Sequence, residues 1–226
     1  MGTVFALSDI HGELNALQRA LEVVSLDDPD TTLVVAGDTI DHAFQKPESY
    51  TVVMDIQQSS AAKVVVLMGN IDRLYLDYLN ERSRSSGTHL PDDLERIRRW
   101  LSKLPSFYET AEQIFVHAGI DEEAGDLWRV GTNRHTLEGK YPPTKGPFLK
   151  DIIAGHVGTC SEHLANDPNF HGIFWDGESH YYLDGSSELT HNIPVLKYDE
   201  RAQVYSAFVM QNSSERTLWA ELPPAR

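Results

Sequence analysis

Residues 33–41 read Leu-Val-Val-Ala-Gly-Asp-Thr-Ile-Asp. Four apolar residues run without a break into a glycine and a carboxylate. An apolar run of this length, closed by a turn residue, is the pattern of a strand covered on both faces. The same arrangement recurs along the chain. Thr3–Leu7 ends in Ser8-Asp9-Ile10-His11-Gly12, and Val64–Met68 ends in Gly69-Asn70. Ile114–Val116 ends in His117-Ala118-Gly119, and Ile152–Ala154 ends in Gly155-His156. In open α/β sheets, ligands gather in the crevice beyond the carboxyl ends of the strands. The five tips therefore predict one site built from Asp9, His11, Asp38, Asn70, His117 and His156. Carboxylate, imidazole and amide-oxygen donors together suit divalent ions such as Mn, Fe or Zn.

Working outward, Leu14, Leu17, Leu21 and Val24 recur at helical spacing, and residues 49–58 read as a second helix. A βαβαβ start implies right-handed crossovers and a largely parallel sheet. Residues 72–79 read as helix, and 81–89, rich in Ser, Arg and Gly, as a loop. Pro91 opens a further helix, with Asp92 and Asp93 in its first turn and Leu94, Ile97, Leu101 and Leu104 on one face. Residues 131–146 have little periodicity and read as an irregular segment over the site. The last quarter is strand-like at 172–175, 181–183, 194–198, 204–210 and 217–222, which predicts an antiparallel sheet packed on the first. The chain thus reads as one α/β domain over 1–226, with a helical insert at about 72–105 and antiparallel strands at about 172–222.

The chain has 226 residues, enough for a sizeable core, and a formal net charge of −15. That charge argues against nucleic acid as a partner, because phosphate-backbone binders need a basic surface. Small phosphorylated substrates stay compatible, since bound metal ions reverse the local field. Cys160 is the one cysteine, which excludes an intramolecular disulfide and points to a reducing compartment. No apolar run approaches the roughly 18 residues of a membrane span, and no basic region precedes an apolar stretch at the N-terminus. A cytoplasmic protein with no membrane partner is the expectation.

Two ions roughly 3.5–4 Å apart clamp the attacking and leaving oxygens of an in-line displacement. One carboxylate must reach both. Asp38 is the natural bridge, lying between the motif that supplies Asp9 and His11 and those that supply Asn70, His117 and His156. The chain reads SDIHG, GDTIDHA, GNID, HAG and GH in that order. This resembles the calcineurin-like metallophosphoesterases of the phosphoprotein (Ser/Thr) phosphatase type, whose pattern is G/S-D-x-H-G, G-D-x-x-D-R-G, G-N-H-E/D, H-A/G-G and G-H. The resemblance covers roughly residues 3–160. It implies a sandwich of two mixed sheets flanked by helices, with the site at the strand tips. It implies two divalent ions, one held by Asp9, His11 and Asp38 and the other by Asp38, Asn70, His117 and His156. The activity implied is phosphoric ester hydrolysis, with metal-bridging hydroxide attacking phosphorus in line.

Two positions depart from that pattern. Ile71 stands where the family has a histidine that protonates the leaving oxygen, held by the carboxylate that matches Asp41. A positioned general acid is worth about 10²–10⁴ in rate, so activity should fall rather than vanish, and least for leaving groups that depart unprotonated. His42 stands where the family has a phosphate-gripping arginine. His42, with Asp41 beside it in sequence, is a candidate replacement acid; the alternative is a partly exposed loop residue. Phosphate gripping is assigned to Arg129, in Asp126-Leu127-Trp128-Arg129, with Arg73 as a second candidate, because a guanidinium binds two oxygens at once. A surface ion pair is the competing reading of both. Cys160 and the remaining histidines, His171 and His180 among them, read as structural.

The resulting expectation is a metallophosphatase acting on a phosphorylated protein or a small phosphorylated metabolite or nucleotide. A dinucleoside polyphosphate hydrolase is the alternative that accommodates Ile71, since a nucleotide leaving from an anhydride is a weak base. A metal-binding pseudophosphatase is the alternative of a different class.

Overall fold

A computed structural model describes residues 2–85, 89–208 and 219–222. In chain order the elements are β1 (Thr3–Leu7), α1 (Leu14–Leu21), β2 (Thr31–Val35), α2 (Glu48–Ser59), β3 (Lys63–Val66), α3 (Asn70–Ser85), α4 (Asp92–Leu101), β4 (Phe107–Glu109) and β5 (Gln113–Val116). A 3₁₀ segment, Glu122–Leu127, leads to α5 (Trp128–Gly131), α6 (Arg134–Gly139), β6 (Asp151–Ala154), β7 (Phe174–Trp175), β8 (His180–Tyr182), α7 (Ser187–Thr190), β9 (Val195–Asp199), β10 (Val204–Phe208) and β11 (Trp219–Glu221).

Two mixed sheets form a sandwich, in the order β11-β10-β9-β1-β2-β3 and β4-β5-β6-β8-β7. The continuous apolar runs are explained by this layering. Val4, Ala6, Val34, Ala36 and Leu67 face Phe115, Ile153 and Tyr181 across the layer between the sheets. The opposite faces of β1 and β2 (Phe5, Leu7, Leu33, Val35) pack on Ala16, Leu17 and Ala20 of α1. Helices α2, α3 and α4 share their own apolar cluster, which includes Tyr50, Met54, Ile71, Tyr75, Leu79 and Ile97. Trp128 and Leu137 cover the outer face of the second sheet.

Three expectations are corrected. The tail strands do not make a separate antiparallel sheet. β9 pairs antiparallel with β1 and extends the first sheet, whereas β8 pairs parallel with β6 inside the second. Both faces of each tail strand carry apolar residues, so either sheet could bury them, and long-range pairing decides. Helix α3 runs on to Ser85, into the stretch read as a loop, and residues 86–88 lie outside the described residues. The segment read as irregular contains α6, capped where Asn133 Oδ1 accepts the Thr136 N–H at 3.0 Å. The parts of the last two expected strands at 209–210 and 217–218 also fall outside the described residues. Among the described residues, no helix is long and apolar enough to cross a membrane.

Candidate metal centre

The ends of β1, β2 and β3 deliver Asp9, His11, Asp38 and Asn70 from the first sheet. The ends of β5 and β6 deliver His117 and His156 from the second. All six sequence-predicted ligands are thereby brought together across the mouth of the sandwich. One ligand atom each from Asp9, His11 and Asp38 lie within 4.8 Å of one another, and so do those of Asp38, His117 and His156. Asp38 contributes to both groups. The Asn70 Oδ1 lies 2.9 Å from His117 Nε2, which is also 3.3 Å from Asp38 Oδ2. Such a largely buried set of carboxylate and imidazole donors, with His156 partly exposed, fits a pair of divalent ions.

Backbone conformation aims these side chains. Asp9, His11, Asp38 and His156 all have left-handed φ, between 46° and 68°. For residues with a Cβ this costs of order 1–3 kcal/mol each and clusters at functional sites. Asp9, His11 and Asp38 are seated by ladder-like bonds between the first two tips, Asp9 N–H to Gly37 O at 3.1 Å and His11 N–H to Asp38 O at 3.0 Å. At Gly69 and Gly155 a side chain has no room. A Cβ would lie 2.0 Å from Asp38 Oδ1 at the first, and 2.0 Å from Ser8 Oγ and 2.1 Å from Asp9 Oδ2 at the second.

Protons report the strength of the local field. Burial pulls the imidazole of His117 down, but the Asp38 carboxylate outweighs it, raising the pKa to about 10. His11 is likewise raised to about 9, against burial, by its bond to Asp9. Asp9 falls to about 2, because His11 and the charge on His117 outweigh its burial. His156 is lowered by burial and by His117. His117 Nδ1 meets Ala36 O at 2.8 Å, so Nδ1 carries the hydrogen and Nε2 is the nitrogen turned toward Asp38 and Asn70.

Three participants were not singled out from the sequence. Asp72, fully buried, accepts from Asp38 N–H (2.8 Å), Thr39 N–H (2.9 Å), Gly69 N–H (3.2 Å) and the Tyr50 hydroxyl (2.7 Å). It clamps the β2 and β3 tips together. Asp184 lies just beyond β8, buried, and is raised to about 7 by burial and by Asp9. The signal was present: Tyr181-Tyr182-Leu183-Asp184-Gly185 is a sixth apolar strand ending in a carboxylate. Glu188 of α7 is the third. Its Oε2 lies 3.0 Å from His42 Nδ1, and His42 stacks on His11 with ring centroids 4.5 Å apart.

Glu188 corrects the expected pairing of Asp41 with His42. The Asp41 carboxylate turns back on its own loop and accepts from the backbone N–H groups of Gln45 (2.9 Å) and Lys46 (2.7 Å). Adjacent residues on a turn diverge, so sequence proximity misled. The guanidinium of Arg129 is committed to Glu109 on the second sheet, and that of Arg73 forms a fork with Glu138 at 2.8 and 3.1 Å. Both show the ion pairing weighed as the competing reading. Ile71 gives its N–H to Asp38 Oδ1 at 2.9 Å, while its side chain joins the apolar cluster of α2, α3 and α4.

Comparison with known proteins agrees with this geometry. Residues 2–197 match the model of the calcineurin-like phosphoesterase family. The chain is 22% identical over 163 residues to a symmetrical bis(5'-nucleosyl)-tetraphosphatase of Nitrosococcus oceani, covering 69% of this chain and 56% of that protein. It is 24% identical over 230 residues to Shewanella-like protein phosphatase 1 of Plasmodium berghei, covering 90% of this chain and 57% of that protein. The chain thus spans a little over half the length of these curated relatives. In fold it is similar to a cold-active protein-tyrosine phosphatase of a psychrophilic Shewanella (TM-score 0.64, 16% identity, 92% of this chain and 78% of that one). It is also similar to a protein serine/threonine phosphatase from Saccharomyces cerevisiae (TM-score 0.61, 10% identity, 100% and 81%). With a family model matched over most of its length, and that family's phosphoesterase motifs converging at one end of its sandwich, this chain belongs to the calcineurin-like phosphoesterases.

Proposed function

We propose that the chain is a dinuclear-metal-dependent phosphoric ester hydrolase of protein-phosphatase type. The observation that carries this reading is the position of Asp38, whose carboxylate belongs to both donor groups. Asp9, His11 and Asp38 would hold one ion, and Asp38, Asn70, His117 and His156 the other, with Mn, Fe or Zn suited to the donors. The chemistry such ions supply is Lewis acidity, which neutralises phosphoryl oxygens and acidifies water. The residues themselves orient and insulate. His117 keeps Nε2 inward through its Ala36 bond, and Asp72 holds the backbone on which Asp38 is mounted. His42 stands at the rim with Glu188 as its carboxylate partner and serves as the replacement acid, a role that replaces the Asp41 pairing.

A second reading is favoured by Ile71. Its apolar side chain gives no proton to a leaving oxygen, so esters of weakly basic leaving groups and phosphoanhydrides should react fastest. A dinucleoside polyphosphate meets that requirement, as does an aryl phosphate. The test is metal analysis of the purified protein, with turnover of nitrophenyl phosphate, a phosphopeptide and diadenosine tetraphosphate after manganese addition. Turnover that requires manganese supports the reading. Metal binding without turnover of any of the three would instead identify a pseudophosphatase.

A further inference from the structure

We infer that the outer face of α3 and the loop after β2 form an aromatic shelf that seats the base of a nucleotide whose phosphate lies at the metal centre. The inference rests on the phosphoester reading above. Helix α3 begins with Asn70, a candidate ligand, and Leu74, Tyr78 and Arg82 follow at successive intervals of four residues. Such a series runs along one side of a helix, drifting slowly around it. Leu74 is 55% exposed and Tyr78 43% exposed, although both are large and apolar-bodied.

The neighbouring loop completes the shelf. Phe44, two residues after His42, holds a left-handed φ of 57° and packs its ring against Tyr75 at 5.1 Å and Tyr78 at 5.9 Å. Tyr75 in turn stacks on Tyr78 at 6.0 Å, and Arg82 Nη1 donates to the Tyr78 hydroxyl at 3.4 Å. The Tyr78 ring is therefore held by Phe44, Tyr75 and Arg82 while remaining accessible to solvent. A ring fixed in advance loses little freedom when a ligand stacks on it.

Spacing selects the occupant. Tyr78 lies eight residues past Asn70, about 12 Å along the helix axis at 1.5 Å per residue. A phenyl ring bonded directly to the reacting phosphate cannot extend so far. A nucleoside di- or triphosphate places its base well beyond its terminal phosphorus, and every base offers a π-face to a tyrosine. The anionic end would be fixed by the metal centre, and the planar end by Tyr78 with Leu74 beneath the intervening sugar.

Isothermal titration of the manganese-loaded full chain tests the shelf. The two probes compared are a non-hydrolysable diadenosine tetraphosphate analogue and inorganic tripolyphosphate, which lacks a base, with a phosphotyrosyl peptide titrated as a control. The expected result is tighter binding of the nucleotide by the native chain. Tyr78→Ala should erase about fivefold or more of that preference, the low end of what one stacked base contributes. Tyr78→Trp should retain it. Equal binding of the two probes by the native chain, an unchanged preference in Tyr78→Ala, or a greater loss for a phosphotyrosyl peptide than for the nucleotide would overturn the inference. Nitrophenyl phosphate turnover, measured in parallel on the native chain, judges the metal centre separately. Turnover with no nucleotide preference removes the shelf and keeps the hydrolase.

Discussion

The carboxylate of Asp72 accepts a 2.8 Å hydrogen bond from the backbone N–H of Asp38, joining the first turn of α3 to the tip of β2. The same carboxylate takes the N–H groups of Thr39 and Gly69 and the hydroxyl of Tyr50. Asp72→Ala would leave buried donors without partners, each costing about 1–3 kcal/mol. Urea unfolding should show a loss of at least about 3 kcal/mol, and metal analysis should show fewer ions retained. A variant as stable as the native chain would refute the clamp.

Gly155→Ala tests the closeness of the two sheets at the centre. Its new methyl would lie 2.0 Å from Ser8 Oγ and 2.1 Å from Asp9 Oδ2, far inside van der Waals contact. Metal affinity should fall by about 10–100-fold, the usual effect of disturbing the groups that orient a ligand. Competition with a chromophoric chelator provides the measurement.

Protonation and metal loading should be coupled. His11 and His117, raised to about 9 and about 10, carry protons at neutral pH in the metal-free chain. Ions must displace them, so loading near pH 7 should release about two protons, and apparent affinity should climb with pH. Calorimetry in buffers of different ionisation enthalpy counts those protons. In the metal-free chain, these raised values stabilise the fold fully below the unfolded pKa of 6.5, and that contribution disappears as pH rises through about 9 and 10.

The rim pair has its own signature. His42→Ala and Glu188→Gln should slow esters of poor leaving groups by about tenfold or more while sparing nitrophenyl phosphate. Asp41→Asn should instead loosen the loop to Gln45 and Lys46 and lower thermal stability. Equal slowing of good and poor leaving groups by His42→Ala would exclude the acid role.

Ile71→His should raise the rate on poor leaving groups, by up to about 10²–10⁴ if the imidazole is well placed. Removing an apolar side chain from the cluster of α2, α3 and α4 should cost stability, roughly 1–3 kcal/mol. Steady-state kinetics across substrates of graded leaving-group pKa, alongside thermal denaturation, reads both effects.

The strands that end at the centre were legible because each is a short apolar run that gives way abruptly to polar or turn residues, a purely local signal. The six candidate donors follow from residue type at those ends. The partition of the tail was not legible, since β8 and β9 both carry apolar residues on both faces and only their distant partners decide the sheet. Glu188 was hidden for the same reason, since it acts through a contact to His42, far away in the chain. Asp72 stood in view as the last residue of GNID, but its contact to the backbone of Asp38 carries no local signal. Asp184 was legible in principle, being a carboxylate at a strand end, but it lacked the histidine or asparagine company of the other tips.

The second donor group draws Asp38 from one sheet and His117 and His156 from the other. The gap between those partners is therefore a dimension of the greasy filling in which Ala36 and Leu67 meet Phe115 and Ile153. A methylene added or removed in that filling would shift these donors relative to one another, so that interior volume becomes a dial on the geometry of the centre.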